Sequence, residues 1–235
     1  MNPFFAYSVK VPQEKLQEIG YAPIGNIYVG INLDEEPPYP ANLQERIRDM
    51  KGTNTVFWLT VRGRKVKDDA KVAALIRDLA SVAEEAGVKV ALYPHFGFYV
   101  ATARDALRFV KEVDRKNVGL TINLCHELKA GNGDELPKIV DEMKDHLFVV
   151  TVNGADRVKD AKSAGWDRLI RPLGNGDFDV YAFLKKVKSV GFNGPIGLQC
   201  YGLKEEPVAH LTQSMKTWKE YSARLAAEKD DAKNP

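Results

Sequence analysis

Two histidines stand at the ends of strand-like apolar runs, where a side chain could transfer a proton. His126 follows the run GLTINL in the stretch GLTINLCHEL, and His95 ends the run KVALYPH beside several aromatic residues. Imidazole has an unperturbed pKa of about 6.5, which suits acid and base catalysis near neutral pH. We therefore predict that His95 and His126 are catalytic proton carriers. The alternative is a structural role, with His95 packed among rings and His126 hydrogen bonded to Asn123.

Polar side chains at other strand ends predict a substrate-binding surface. Asn123 ends the run GLTIN, while Thr151 and Asn153 share one face of LFVVTVN because side chains alternate along a strand. Gln199 and Tyr201 share a face in the same way. A glutamine at a buried strand end needs partners for its oxygen and for its amide group, and the polar groups of a ligand would supply them. We predict that these residues bind substrate.

Two charged residues complete the predicted substrate-binding set. Asp156 lies in the turn NGAD and is the only carboxylate of the strand-end cluster, with turn capping as its alternative role. Arg171 precedes PLGNGD and could clamp an anion such as phosphate or carboxylate. The alternative for Arg171 is that it braces its own loop.

Strand-like and helix-like segments alternate along the chain. The helix-like segments include DDAKVAALIRDLASVAEEAG and TARDALRFVKEVDRK, in which Thr102 and Asp105 form a capping-box pattern. Alternation of this kind predicts a parallel sheet, and polar residues at one rim are typical of a (β/α)8 TIM barrel. The strand-like runs are FFAYSV (4–9), NIYVGINL (26–33), NTVFWLTV (54–61), KVALYPH (89–95), NVGLTINL (117–124), LFVVTVN (147–153) and PIGLQCY (195–201).

The segment YAPIGNIYVGINL departs from this pattern. It has room for two strands but no crossover helix, so APIG counts either as an eighth strand or as part of its neighbour. We therefore expect a barrel that is incomplete or distorted near strands two and three. The absence of GxGxxG after the first strand and of GxxxxGK[ST] argues against dinucleotide-binding and P-loop folds.

Composition narrows the class of protein. The formal net charge is +2 with dispersed Lys and Arg, which argues against nucleic acid as a partner. No apolar run approaches the roughly 20 residues of a membrane helix. The N-terminus lacks a secretory pattern, which favours a cytoplasmic protein and leaves open export after removal of a signal. Cys125 and Cys200 are predicted to be buried in strands. We predict one domain over residues 1–225 and a disordered tail at 226–235.

Several stretches, taken in order, resemble a known family: YPHFGFYV, KNVGLTINLCHEL, LFVVTVNGAD, IRPLGNGDFDVYAFLKKV and GFNGPIGLQCYG. They are similar to the xylose isomerase-like TIM barrels, the sugar phosphate isomerase/epimerase family. PLGNGDFD, a helix and GFNGPIGLQ look like that family's ending, GxGxxD, helix, GYxGxxxxE. The resemblance extends over residues 50 to 220 and is poor over the first 35, where the family has a longer two-helix opening.

The resemblance implies a divalent cation held by Glu, Asp, His and Glu on the family's strands five to eight. Hard oxygen ligands and an imidazole suit Mn²⁺, Mg²⁺ or Zn²⁺, and such an ion polarises a carbonyl or hydroxyl group. In this chain the corresponding positions hold Tyr93, Asn123, Thr151 and Gln199, all of them neutral. Tyr93 joins the predicted substrate-binding residues. A bound cation would need atypical ligands, with His95 and His126 as candidates, so no cofactor is predicted with certainty.

The function implied by the resemblance is isomerisation or epimerisation of a sugar or sugar acid, by proton transfer next to a carbonyl at the barrel mouth. The alternative is a non-catalytic carbohydrate-binding barrel that has lost the family's metal site. An abasic-site endonuclease, also found among these barrels, is disfavoured because its metal cluster needs more His, Asp and Glu than these strand ends provide. The expected partner is a small molecule, with no nucleic acid and no membrane, and homo-oligomerisation is left open.

Overall fold

Six parallel strands form one sheet in the part of the chain that the structure describes, which is residues 26–52, 56–65 and 67–231 of a computed structural model. Their spatial order follows their order in the chain, and every neighbouring pair is parallel. The carboxyl ends of these strands therefore meet at one rim. The strands are β1 (Asn26–Asn32), β2 (Val56–Arg62), β3 (Lys89–Leu92), β4 (Val118–Asn123), β5 (Leu147–Val152) and β6 (Ile196–Leu198).

Helices connect these strands and cover the outside of the sheet. None of the helices in the described residues is long and apolar enough to cross a membrane. A short 3₁₀ turn also lies at Gly133–Glu135. The helices are α1 (Leu43–Arg48), α2 (Asp69–Glu85), α3 (Ala103–Val113), α4 (Leu124–Ala130), α5 (Leu136–Met143), α6 (Trp166–Leu169), α7 (Val180–Ser189) and α8 (Pro207–Asp231).

Local sequence explains where the predicted helices begin. At the start of α2, the Asp68 side chain accepts a hydrogen bond from the backbone N–H of Lys71. At the start of α3, the Thr102 hydroxyl accepts from the N–H of Asp105, and the Asp105 carboxylate accepts from the N–H of Thr102. This reciprocal pair confirms the predicted capping box and satisfies backbone donors that a helix start leaves without partners. α3 is followed by its C-cap residue, Asp114, which adopts a left-handed conformation.

The two faces of the sheet bury different clusters of side chains. Phe57 and Leu59 of β2 belong to the large core between the sheet and the helices. Trp58 alternates with them and packs in a smaller cluster on the inner face with Tyr93 and Val149. Because residues alternate along a strand, this inner face continues towards the rim where the polar strand ends lie.

The structure corrects two predicted boundaries. α4 begins at Leu124, directly after β4, so Cys125 and His126 lie in a helix rather than in a strand. β6 ends at Leu198, so Cys200 also lies beyond its strand. An apolar run alone does not separate a continuing strand from a buried helix, because both bury apolar residues.

The C-terminal helix is longer than predicted. α8 extends to Asp231, so residues 226–231 are helical and not part of a disordered tail. Ala, Glu and Lys in this segment are strong helix formers, and Glu228 accepts a hydrogen bond from Tyr181 and pairs with Lys185. The predicted strand FFAYSV and the APIG segment lie outside the described residues, so the strand count and the distortion near strands two and three stay predictions.

Candidate functional site

A cavity of about 900 Å³ opens at the carboxyl ends of the strands. Its volume is in the range of small-molecule binding sites, roughly 300–1,000 Å³. Side chains from four strand ends meet in this cavity. Six of the predicted site residues line it: Tyr93, His95, His126, Thr151, Gln199 and Tyr201. Four other predicted residues do not line it: Asn123, Asn153, Asp156 and Arg171.

His95 and His126 lie against each other, with ring centroids 4.0 Å apart. The backbone of Phe96 orients both rings. The Phe96 N–H donates to Nδ1 of His126 at 3.3 Å, and the Phe96 carbonyl lies 3.0 Å from Nδ1 of His95. A carbonyl can only accept, so Nδ1 of His95 carries a proton and its Nε2 has a lone pair. In His126 the tautomer is reversed, and Nε2 is the N–H donor of the neutral ring.

Burial keeps both imidazoles neutral near pH 7. His126 is only 5% exposed. Burial, together with the nearby His95, lowers the pKa of His126 from 6.5 to about 3. Burial also lowers the pKa of His95, against a hydrogen bond to Phe96 that raises it. His126 therefore does not fit the predicted role of proton carrier near neutral pH, and His95 remains the candidate base.

Asn123 lies beneath the cavity rather than on its surface. It is fully buried, and its Oδ1 accepts a hydrogen bond from the Thr151 hydroxyl at 2.5 Å. The Cys125 thiol lies 3.7 Å from the same oxygen, and burial raises the pKa of this thiol to about 12. Asn123 thus positions Thr151 through its oxygen, while its amide nitrogen has no hydrogen-bond partner among the described residues. That Asn123 contacts substrate stays a prediction.

The predicted residues Asn153, Asp156 and Arg171 instead brace the loop after β5. The Asn153 amide donates to the carbonyls of Gly154 and Leu169, each at 2.7 Å. Asp156 accepts hydrogen bonds from Arg168 and Arg171. Burial alone would raise the pKa of this carboxyl, but the two guanidinium groups hold it below its usual value. Arg171 thus braces its loop, the alternative given for it, while Asp156 contacts two arginine side chains rather than the backbone of its turn.

Gln199 joins opposite walls of the cavity. Its Nε2 donates to the Tyr93 hydroxyl at 3.3 Å, and its Oε1 accepts from the backbone N–H of Tyr201 at 3.0 Å. Tyr93 follows β3 and stacks on Trp58, with centroids 4.7 Å apart. The side chain of Tyr201 is 73% exposed at the rim. The contact between Gln199 and Tyr93 crosses the interior, as expected of strands that curve into a barrel.

The positions implied by the resemblance as metal ligands do not fit a divalent cation. The oxygens of Asn123 and Gln199 accept hydrogen bonds from Thr151 and from the Tyr201 backbone, and no member of the set is a carboxylate. A dication needs negative oxygen ligands to offset the loss of its water shell. Among the described residues, no three His, Cys, Asp or Glu side chains are grouped so that they could hold a metal ion.

Several lining residues were missed by the sequence analysis. Arg62 ends β2, and the strand-end criterion applied to His95 would have found it. Trp166, from the short α6, contacts the His126 ring edge at a centroid distance of 5.2 Å. Met215 and Trp218 reach the cavity from α8, and no local pattern indicates that this helix packs there.

Glu127 is a buried carboxylate beside the site that the sequence analysis did not single out. One oxygen accepts from the backbone N–H of Ala103, at the start of α3, and the other from the Asn132 amide, both at 2.7 Å. Burial raises the pKa of this carboxyl above its ordinary 4.5, although both hydrogen bonds oppose the change. Glu127 thus joins α3 to α4, the helix that carries His126.

Replacing Glu127 with Gln is expected to change how stability depends on pH. Because folding raises the Glu127 pKa, its stabilising contribution is complete below pH 4.5 and is lost as the pH rises through the raised value. Glutamine does not titrate, so the wild type should lose unfolding free energy relative to Glu127→Gln over the pH range that begins at 4.5 and extends upward through the raised pKa. Urea unfolding across this range measures the difference, and a constant difference would contradict the assignment. Asn132→Ala, which removes an opposing hydrogen bond, should extend the loss to higher pH.

An arc of parallel strands with its cavity at their carboxyl ends defines the TIM-barrel class of enzyme-like folds. The chain belongs to the xylose isomerase-like TIM barrel family, whose model matches residues 43–221. This confirms the fold class and the family predicted from the sequence.

Three comparisons place the chain among its relatives. An uncharacterised protein of Methanocaldococcus jannaschii is 26% identical over 149 residues, covering 62% of this chain and 46% of the relative. The inosose isomerase of Bacillus subtilis is 28% identical over 147 residues, covering 61% of this chain and 51% of that protein. The chain thus spans about half the length of these relatives. A crystal structure of an IOLI protein with a zinc atom superposes with a TM-score of 0.67 at 16% identity, over 95% of this chain and 88% of that one.

Proposed function

We propose that the cavity binds a sugar or sugar-derived acid and that the protein isomerises or epimerises it by proton transfer next to a carbonyl. The observation that carries this proposal is the complementary histidine pair. His95 has an Nε2 lone pair that can accept a proton, and His126 has an Nε2–H that can donate a hydrogen bond. The family and the similarity to an inosose isomerase support the same reaction class.

The wall of the cavity suits a sugar. Trp58, Phe98 and Trp166 offer apolar faces for the C–H surface of a ring, while Thr151 and Gln199 offer polar groups for its hydroxyls. Ligand sites combine apolar walls with a few placed polar groups in this way. The amide nitrogen of Gln199 has a second hydrogen beyond the one donated to the Tyr93 hydroxyl.

In the proposed isomerisation, His95 accepts the proton from the carbon next to the carbonyl and returns it to the carbonyl carbon, while the proton of the neighbouring hydroxyl group moves to the former carbonyl oxygen. In the proposed epimerisation, His95 accepts the same proton, and a solvent proton replaces it on the opposite face of that carbon. His126 donates a hydrogen bond to the carbonyl oxygen, where negative charge develops. A neutral imidazole can stabilise such an oxygen, and a pKa of about 3 keeps His126 neutral throughout the useful pH range. Burial beside Tyr93 and Trp166 excludes water from this ring.

The second candidate function is carbohydrate binding without catalysis. It is favoured by the neutral residues at the positions implied as metal ligands, which leave a cavity able to contact hydroxyl groups without the family's cation. This candidate predicts the same ligand and the same wall residues. The two candidates differ only in whether a proton leaves the bound sugar.

Tryptophan fluorescence and hydrogen exchange together test the proposal. All three tryptophans of the chain line the cavity, so a bound sugar is expected to change the intrinsic fluorescence directly. Gln199→Ala should weaken binding by about tenfold, the effect of losing one hydrogen-bonding group of the ligand site. Gln213→Ala is the matched control, because Gln213 lies on α8 and does not line the cavity.

Deuterium incorporation then separates the two candidates. In D₂O, an isomerase or epimerase exchanges the proton next to the carbonyl of its sugar for deuterium. NMR of the sugar after incubation with the protein detects the exchange. Binding without incorporation would favour the non-catalytic candidate. No fluorescence change with any neutral or acidic sugar at millimolar concentration would contradict both.

A further inference from the structure

We propose that Arg62 binds an anionic group of the ligand, so that the cavity selects a sugar acid or a sugar phosphate over a neutral sugar. This inference rests on the proposed function and specifies the substrate class of the same site. It moves the anion-binding role from Arg171, for which the sequence analysis considered it, to the residue that ends β2.

The charge of the cavity is the first argument. Among the described residues that line it, Arg62 is the only Lys, Arg, Asp or Glu. A neutral sugar would leave this guanidinium facing uncharged groups, whereas a carboxylate or phosphate would complement it. Arg171 lies outside the cavity and is paired with Asp156, so it does not compete for the ligand's anion.

The orientation of the Arg62 side chain is the second argument. Its guanidinium carbon lies 4.8 Å from the centroid of the Phe98 ring, so the ring contacts the guanidinium group. No carboxylate of the described part of the chain forms an ion pair with it. Stacking on an aromatic ring leaves the N–H edges of a guanidinium group available for bidentate binding of an anion.

The position of Arg62 relative to the candidate base is the third argument. Phe98 stacks on His95 at a centroid distance of 4.0 Å, and His95 lies 4.0 Å from His126. Arg62, Phe98, His95 and His126 thus form one column from the rim into the cavity. A ligand whose anion binds Arg62 would extend its carbon chain along this column towards the histidines.

The column also links the charge of the ligand to the strength of the base. Burial is the largest influence that lowers the pKa of His95, and the positive charge of Arg62 lowers it further. An anion bound to Arg62 would cancel that charge. His95 would then accept a proton more readily when the correct ligand is bound than when the cavity is empty.

A shallow groove next to the cavity strengthens the positive potential at this part of the rim. It shares Phe98 with the cavity and is lined by Arg64 and Lys67, both exposed. Asp69, its carboxylate, pairs with Arg108. Cations around a cleft raise the local concentration of anionic ligands.

The test compares matched ligands on matched variants of the full chain. The ligands are neutral pentoses and hexoses, the aldonic acids derived from them and their terminal phosphates, with affinity measured by tryptophan fluorescence. The wild type is expected to bind one anionic class at least about tenfold more tightly than the neutral sugars, the effect of a charge-assisted hydrogen-bonded pair. If the aldonic acids bind more tightly, the preferred anion is a carboxylate. If the sugar phosphates bind more tightly, it is a phosphate.

Arg62→Gln is expected to remove this preference, bringing the affinities of anionic and neutral ligands to within about twofold of each other. Arg62→Lys keeps the charge without the planar fork and should retain part of the preference. Arg48→Gln is the control for net charge, because Arg48 is exposed on α1 and lies outside the cavity. It should behave as the wild type does.

Two outcomes overturn the inference. If neutral sugars bind as tightly as their anionic counterparts, or if Arg62→Gln keeps the wild-type preference, Arg62 does not select the ligand and the proposed function stands without it. If no sugar, sugar acid or sugar phosphate changes the fluorescence, the proposed function fails and this inference fails with it.

Discussion

The wild type is expected to lose about 3 kcal/mol of unfolding free energy relative to His126→Gln when the pH falls from about 7 to about 4. Folding depresses the pKa of His126 from 6.5 to about 3, because burial and the nearby His95 oppose its positive charge. Below pH 6.5, His126 therefore binds a proton in the unfolded chain but stays neutral in the folded chain until the pH approaches 3. Each pH unit between the two values costs about 1.4 kcal/mol of stability.

The sign follows from the direction of the change. The stabilisation from neutral His126 is complete above pH 6.5 and is lost as the pH falls towards the folded-state value of about 3. Urea unfolding at several pH values measures it, and all other titrating groups are shared by the two proteins. His126→Phe is the matched control, since it also lacks a titrating group and should show the same pH-dependent difference from wild type. A difference that stays constant with pH would show that His126 is not buried as a neutral ring.

Replacing His95 with Gln is expected to lower turnover by about 10²–10⁴-fold, the usual contribution of a general base. Ligand affinity should change by no more than about threefold, because the aromatic wall and Gln199 remain in place. Deuterium exchange next to the carbonyl measures turnover, and tryptophan fluorescence measures binding. Since burial lowers the pKa of His95, the acid limb of the wild-type rate profile should lie below pH 6.5.

His146→Gln is the matched control for this experiment, because His146 lies between α5 and β5 and does not line the cavity. It should keep wild-type turnover and affinity. Full activity of His95→Gln would contradict the role of His95 as base. Loss of binding in His95→Gln together with loss of turnover would instead assign His95 to ligand contact.

The sequence predicted the strand ends better than it predicted the direction of their side chains. His95, Gln199 and Thr151 line the cavity as predicted, because a polar residue that ends a buried parallel strand must lie at the rim. Asn153 stands at the same kind of position, yet its amide nitrogen donates to the carbonyls of Gly154 and of Leu169, at the end of α6. The two cases have the same local pattern and differ only in tertiary partners.

The charged residues also differ in their tertiary partners and not in their local pattern. Arg171 and Arg62 are both arginines near the rim, and the sequence contains no signal that Asp156 pairs with Arg171 and not with Arg62. The pairing depends on how the loop after β5 turns back. Only the contact between Asp156 and Arg171 in the folded protein shows which arginine is already paired.

The sequence by itself determined the alternation of strands and helices, the capping box of α3, and the family, because periodicity, capping and motifs are local properties of the chain. Only the tertiary structure decided the chemistry of His126. Its residue type predicted a proton carrier, but α4 buries the ring against Tyr93, His95 and Trp166. The pKa of an imidazole depends on the water and charges around it, and those surroundings come from segments far apart in the chain.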